Sequence, residues 1–538
     1  MRRVEAPAFA IAVRVAASAC FALVILLVLA LAPRIAYACK VASVVERPIP
    51  AAALAVVIVA AAACILGLVD RAPRARAIER FRSFSLIVLV WSVALLAAQA
   101  VMVRGAWFEG GWDVGLLARI YPQPASSFTD YLAHYPNNLL LYDLFRLMDH
   151  AAATTGAAEP YLLYIAGSCL SVTVACALCA LAAHRSLGPA AGLGTLALST
   201  AVIGLSPWVL VPYSDTYAMP WPAAALAAYA LVKRPAPRWG LIGLATAVGM
   251  AVKPTALFMT AGLVLACGAR ALGELRAARR SRQPGSRSGS HACRPIDSAC
   301  LTSAAPRRAA VALASLAAGA LVGWALVHAV EATGPRLDPA AAAPSTHFFA
   351  MGANPDTYGF FSAEDERLSL SIADPAERAD TMRGVWLGRL REMGPLGIAK
   401  LAARKLMTIY ADGTLAWNQE GGFFYILHGD SDALKGYFGI GNPAPPATAF
   451  RLGAQALWLA VLAGIALIAP ARRGDADPVP IVETASLIAL ALLTGFLLLS
   501  EVRARYLILY APVFAMMAAW GLNGAGRAAR RRLHAQDR

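Results

Sequence analysis

The chain has 538 residues, of which 59% are hydrophobic and only 15% charged, and its formal net charge is +16. With a mean hydropathy of +0.58 it lies outside the composition of water-soluble domains, where about a quarter of residues are charged. Its apolar stretches are continuous rather than alternating, which excludes a β-barrel and leaves helices of roughly 17 to 25 residues, long enough to cross about 30 Å of hydrocarbon with every backbone group paired.

In chain order, the apolar runs predict spans near 9–33, 50–69, 83–103, 158–183, 188–208, 216–232, 238–252, 254–269, 308–330, 452–470, 481–500 and 505–523, about twelve crossings of an all-α integral membrane protein. Ile35-Ala36-Tyr37-Ala38 before Cys39 resembles a cleavage site, but the run from Phe9 to Leu31 is long for a signal peptide and two more spans follow. The first span is therefore expected to be retained. Of the 48 Lys and Arg residues, 27 fall in 2–3, 71–82, 185, 233–238, 270–308, 472–473 and 527–538. This clustering reads as a positive-inside signature rather than a nucleic-acid footprint, and it puts both termini in the cytoplasm. The Ser, Gly, Pro and Arg rich stretch within 271–307 reads as a disordered cytoplasmic linker. Six of the nine cysteines lie in apolar runs, so no disulfide framework is expected, and Cys176-x-x-Cys179 reads as packing.

Two segments are left outside, 104–157 and 331–451. From Gly334 to Phe450 the second carries 13 acidic against 10 basic residues, and its Asp374 to Tyr410 stretch predicts a helix with Leu387, Leu390 and Ile398 on a partly apolar face at the membrane surface. In the first, Trp107-Phe108-Glu109-Gly110-Gly111-Trp112-Asp113 follows a span directly, and Tyr121-Pro122 and His134-Tyr135-Pro136-Asn137-Asn138 come after it. Leu139 to Met148 then reads as a juxtamembrane helix. An acid so placed is a candidate general base for a sugar acceptor's hydroxyl: Asp113 first, Glu109 as alternate. An aromatic belt with incidental acids is the competing reading.

Asp215, in Pro212-Tyr213-Ser214-Asp215-Thr216-Tyr217, faces the same compartment and is a second catalytic candidate, a cation ligand, or simply a helix cap. Lys253 between two short spans, and Arg505 with Tyr506 in Glu501-Val502-Arg503-Ala504-Arg505-Tyr506, are placed to meet a lipid phosphate or to act as interfacial anchors. His347 has no second histidine at ligand spacing, so it reads as a binding or structural group and not as a zinc ligand. The substrate-binding set is thus Glu109, Tyr121, His134, Tyr135, Asn137, Asn138, Lys253, His347, Arg505 and Tyr506, with no metal ligand assigned and a divalent cation left open.

The order of these features resembles the GT-C superfamily of membrane glycosyltransferases, in the branch of protein O-mannosyltransferases and the lipid A aminoarabinose transferase. An outer loop bears Asp113 straight after a span, and Tyr135-Pro136-Asn137-Asn138 stands where relatives carry His-Pro-Pro or Tyr-Pro-Pro. Asp215 follows at a helix end, and Lys253-Pro254-Thr255 joins short helices. Segments 346–352, 405–414 and 501–506 look similar to a bacterial subgroup. Asn137 replaces the second proline and the first two spans are additional, so substrate assignments do not transfer.

The resemblance implies inverting transfer from a polyprenyl-phosphate-linked sugar at the extracytoplasmic side of the cell membrane, to a protein, lipid or cell-wall polymer, with Asp113 as base. The expected organisation is two extra N-terminal spans and a basic loop (1–82), a GT-C-like core (83–330), an extracytoplasmic loop (331–451), and C-terminal spans with a basic tail (452–538). The rival classes are a transporter or flippase, which wants charges within spans, and a surface-polysaccharide polymerase or ligase, which has no need of Asp113.

Overall fold

A computed structural model describes residues 8–31, 48–69, 81–119, 125–156, 159–280, 298–417, 423–441, 446–472 and 479–536. Among them the regular structure is helical except for one two-stranded ribbon. Three apolar helices come first: α1 (Ala8–Leu31), α2 (Pro48–Val69) and α3 (Phe81–Ala106). Then follow β1 (Phe108–Gly110), α4 (Trp112–Leu117), α5 (Ala125–His134), α6 (Leu139–Thr155), α7 (Pro160–Leu187), α8 (Pro189–Ser199), α9 (Ser214–Tyr217), α10 (Pro220–Leu231), α11 (Pro235–Val252), α12 (Leu257–Arg280) and α13 (Ser298–Glu331). The second half has α14 (Ser345–Gly352), α15 (Ala363–Leu370), α16 (Pro375–Tyr410), β2 (Phe424–Leu427), α17 (Asp432–Phe438), α18 (Pro446–Ala466), α19 (Ile468–Ala471), α20 (Ile481–Leu499) and α21 (Ala511–Gln536).

Nine helices among the described residues are long and apolar enough to cross a membrane. The spans expected at 188–208, 216–232 and 238–252 fall on shorter pieces: α8, which tightens into a π turn over Thr200–Gly204, α10 and α11. The chain is thus an all-α multi-pass membrane protein. Exposed Leu86, Leu89, Val90, Leu313, Leu321 and Trp324 on α3 and α13 are the surfaces that lipid covers. Polar groups inside the bundle are satisfied locally. Gln99 is fully buried on α3; its amide donates to the Gly204 carbonyl at 2.9 Å and accepts from Thr173 at 3.1 Å.

Close helix contacts are made by small residues, as expected where lipid supplies no hydrophobic drive between helices. A Cβ on Gly319 of α13 would lie 1.9 Å from the Gly240 carbonyl oxygen of α11, and one on Gly521 of α21 would lie 1.8 Å from that of Gly464 on α18.

The expected linker 271–307 is shorter than composition suggests. Helix α12 runs on to Arg280 and α13 begins at Ser298, because the flanks are rich in strong helix formers (Ala, Leu, Arg), and Arg270 and Glu274 pair at 3.6 Å one turn apart. Residues 281–297 of the predicted linker, Cys39 and the 35–38 segment lie outside the described residues. The predicted helix from Asp374 is present as α16, and the Asp374 carboxylate caps it by accepting the Glu377 N–H at 2.8 Å. It is two helices rather than one. Gly394 (φ 57, ψ −179) breaks it before Pro395, which leaves Leu396 (69% exposed) and Ile398 on an open face.

Candidate functional site

The segments that follow α3, α11, α14 and α20 meet the start of α9 at one end of the bundle. Strand β1 pairs antiparallel with β2, Glu109 opposite Ile426, which ties the segment after α3 to one more than three hundred residues later. Beneath the ribbon, Phe108, Trp208, Trp417, Phe423 and Phe424 pack edge to face with centroids 4.8 to 6.0 Å apart. The loop that delivers Trp417 is pinned by Asp412, which accepts from the Thr414 and Ala416 N–H groups at 2.8 and 2.6 Å, while Leu415 and Ala416 sit at positive φ. On this base Gly110 and Gly111 turn the chain, and Trp112 is held at φ 56, a strained conformation for a bulky residue. Asp113 comes next.

The Asp113 carboxylate takes a hydrogen bond from the Tyr213 phenol, and its charge also acts on the nearby Tyr131 phenol. Tyr131 in turn accepts from the Asn138 amide at 2.9 Å. Burial first, and the Asp113 charge second, push both tyrosines up, so both keep their hydroxyl protons. The Arg505 guanidinium carbon lies 5.0 Å from the Tyr213 ring centre, 5.7 Å from Trp112 and 5.6 Å from Tyr506.

Lys253 lies 4.7 Å over the other side of this aromatic set, the Tyr506 ring, and its ammonium is bonded to the Asp215 carboxylate. Burial lowers the Lys253 pKa and the Asp215 charge opposes that. Asp215 therefore does not cap α9; it serves as the lysine's counter-ion, buried to 1% exposure. Glu501 holds Arg503 at 2.9 Å and accepts from the Tyr506 hydroxyl at 3.2 Å.

Beyond it, Tyr135 donates to Glu366, and burial together with that bond pushes its phenol up. His347, only 1% exposed, has neither ring nitrogen hydrogen-bonded, and burial holds the imidazole below its usual pKa and hence neutral at pH 7. Fully buried Lys405 donates to the Gly352 carbonyl at 2.9 Å and the Ser500 carbonyl at 2.6 Å, so one ammonium closes the C-terminal ends of α14 and α20. Burial lowers it to about 7.

Of the residues predicted from sequence, Asp113, Asp215, Lys253, Arg505 and Tyr506 form one network, with Asn138 behind it and Tyr135 and His347 beside it. Glu109 is not in it. Its carboxylate bonds His428 at 2.9 Å, whose ring stacks on Trp107 at 3.8 Å, because the alternation of β1 turns Glu109 away from the residues that precede Asp113. His134 contributes its carbonyl, which accepts the Ala343 N–H at 2.9 Å. Asn137 is exposed and makes only a 3.4 Å contact with Asn138. Tyr121 lies outside the described residues. Tyr131, Tyr213, Glu366, Glu501, Arg503 and Lys405 were not singled out as site residues, although Tyr213, Glu501, Arg503 and Lys405 lie within segments that were. Among the described residues no three His, Cys, Asp or Glu side chains cluster as a metal site.

A family model described as a conserved hypothetical integral membrane protein matches residues 10–525. The chain belongs to this family of integral membrane proteins. The family match spans the whole network, from Asp113 to Tyr506. No curated protein and no solved structure matches the chain.

Proposed function

We propose that this integral membrane protein is a glycosyltransferase that moves a sugar from a polyprenyl-phosphate donor to an acceptor hydroxyl with inversion at the anomeric carbon. The observation that carries the reading is the juxtaposition of a phenol-bound carboxylate, Asp113, with two cations, Arg505 and Lys253, across the rings of Tyr213 and Tyr506. Transfer needs that pairing. Asp113 takes the proton of the acceptor hydroxyl as its oxygen bonds to the anomeric carbon, and the carbon–oxygen bond to phosphate breaks on the opposite side. The electron pair leaves with the phosphate, whose charge Arg505 and Lys253 stabilise. Tyr213 orients the carboxylate, and Asp215 neutralises Lys253 until the phosphate arrives.

His347, Tyr135 and Glu366 offer hydrogen-bonding groups to sugar or acceptor hydroxyls. The acceptor is a protein, lipid or cell-wall polymer, and the network faces the extracytoplasmic side of the cell membrane. A transporter would carry its charges near mid-membrane. Here the buried pair within the spans, Arg14 with Glu483, lies at the start of α20, 17 residues or roughly 25 Å before Ser500.

The test is transfer from polyprenyl-phosphate sugars by purified protein in lipid, wild type against Asp113→Asn. Wild-type transfer that collapses in the variant supports the base, and an unchanged rate in Asp113→Asn removes it. A reporter fused within 331–451 checks orientation; a cytoplasmic signal overturns the assigned side.

A further inference from the structure

A groove of about 490 Å³ runs between α3 and α7, lined by Leu96, Ala100, Val103, Arg104 and Trp107 of the first and by Leu162, Ala166 and Cys169 of the second. The two sets repeat at helical spacing, so each is one face of its helix. The notch exists because Ala100 and Ala166, both exposed, stand where longer side chains would meet. From Leu96 to Trp107 it is roughly 16 Å long at the helical rise of about 1.5 Å per residue. That is about half the ~30 Å hydrocarbon thickness, the depth that one acyl chain reaches from its own leaflet.

The mouth is polar. Arg104 keeps its side chain 83% exposed although its Nε meets Asp430 at 3.0 Å, a surface pair of little strength. The segment 428–431 is clamped over the end of α3, with Asp430 N–H on the Arg104 carbonyl at 3.2 Å and Ser431 N–H on that of Gly105 at 2.9 Å.

We infer that this groove is a seat for one acyl chain of an anionic phospholipid from the surrounding leaflet, its phosphate held by Arg104. The seat lies beside the Asp113 network and not in it. Trp107, stacked on His428, closes the groove on that side, so the lipid bears on the strand that leads to Asp113. The inference rests on the membrane reading alone and is independent of sugar transfer.

It is tested in nanodiscs of phosphatidylcholine doped with phosphatidylglycerol bearing a photoactivatable acyl chain, with adducts mapped by mass spectrometry. Adducts concentrate on Leu96, Ala100, Leu162 and Ala166. Arg104→Glu lowers them by about fivefold or more and leaves those of a phosphatidylcholine probe unchanged. Ala166→Phe, a change on an exposed position that needs no repacking, removes both. Four results overturn the seat: adducts spread evenly over the exposed faces of α3 and α13, indifference to Arg104→Glu, labelling by a polyprenyl phosphate probe in place of phosphatidylglycerol, or cross-links to a second copy of the chain.

Discussion

The two ends of the bundle solve the problem of buried charge in opposite ways. At the end away from Asp113, Arg14 of α1 grips Glu483 of α20 with two bonds of 2.6 and 3.0 Å, Trp520 adds its indole N–H to the same carboxylate at 2.8 Å, and Arg472 lies over the Trp520 ring. Every strong partner there is another fixed side chain on a helix, so the cluster is closed and its effect is to join α1, α20 and α21. At the Asp113 end the carboxylate accepts from the Tyr213 phenol, the Arg505 guanidinium lies against the Tyr213 ring, and Lys253 lies over Tyr506 with Asp215 as counter-ion. Both ion pairs, Arg14–Glu483 and Lys253–Asp215, are buried, so losing a partner is costly at either end unless another charged group takes its place.

Substitutions at the two ends should separate function from stability. The largest effect is expected from Asp113→Asn, which keeps the shape and removes the proposed base. Transfer falls by about 10²- to 10⁴-fold while thermal unfolding stays close to wild type; a large loss of stability instead would make Asp113 a structural ion. Glu483→Ala inverts the pattern. It strands a buried arginine and should cost about 3–5 kcal/mol, read as a lowered midpoint in detergent, with the residual folded protein still transferring sugar. Trp520→Phe removes one donor to that carboxylate and should cost about 1.5–3 kcal/mol, the worth of a hydrogen bond to a charged group.

The last effect is a change of slope. Burial lowers Lys405 to about 7, against about 10.4 for an unfolded lysine. Between those values the unfolded chain holds a proton that the folded chain has lost, so the stability contributed by this group rises with pH across that window and is lost as pH falls back toward 7. Lys405→Met should flatten the pH dependence of the unfolding midpoint between about pH 7 and 10; an unchanged slope would mean that the ammonium keeps its proton throughout.

Much of this was legible in the sequence, and the remainder was hidden for identifiable reasons. Long apolar runs marked the nine long helices among the described residues, since hydrocarbon thickness sets their length, whereas the spans expected at 188–208, 216–232 and 238–252 fell on shorter ones. Asp113, Asp215, Lys253 and Arg505 stood out because charge at the edge of an apolar run is costly without a partner. Their partners were less visible. Tyr131 and Tyr213 look like any interfacial tyrosine until a fold aims them at a carboxylate, and Glu109 has the local credentials of a base while its partner His428 lies far along the chain. Lys405 reads as one more basic residue of an amphipathic helix, and Arg14 lies inside the first expected span with its partner Glu483 far along the chain. The break in α16 was spelled out by Gly394-Pro395, since the residue before proline is pushed from the helical region, yet the reading ran one helix through it.

The pairing of β1 with β2 has a consequence for biosynthesis. Glu109 leaves the ribosome 317 residues before Ile426, its opposite residue, an interval of roughly 15 to 60 s at about 5–20 residues per second. During that time the first strand waits beside the translocation machinery with its hydrogen-bonding edge unfilled. A nascent chain cut short before Phe424 would carry all of α3 and Asp113 and still present an open edge, the kind of surface that quality-control proteases and chaperones bind.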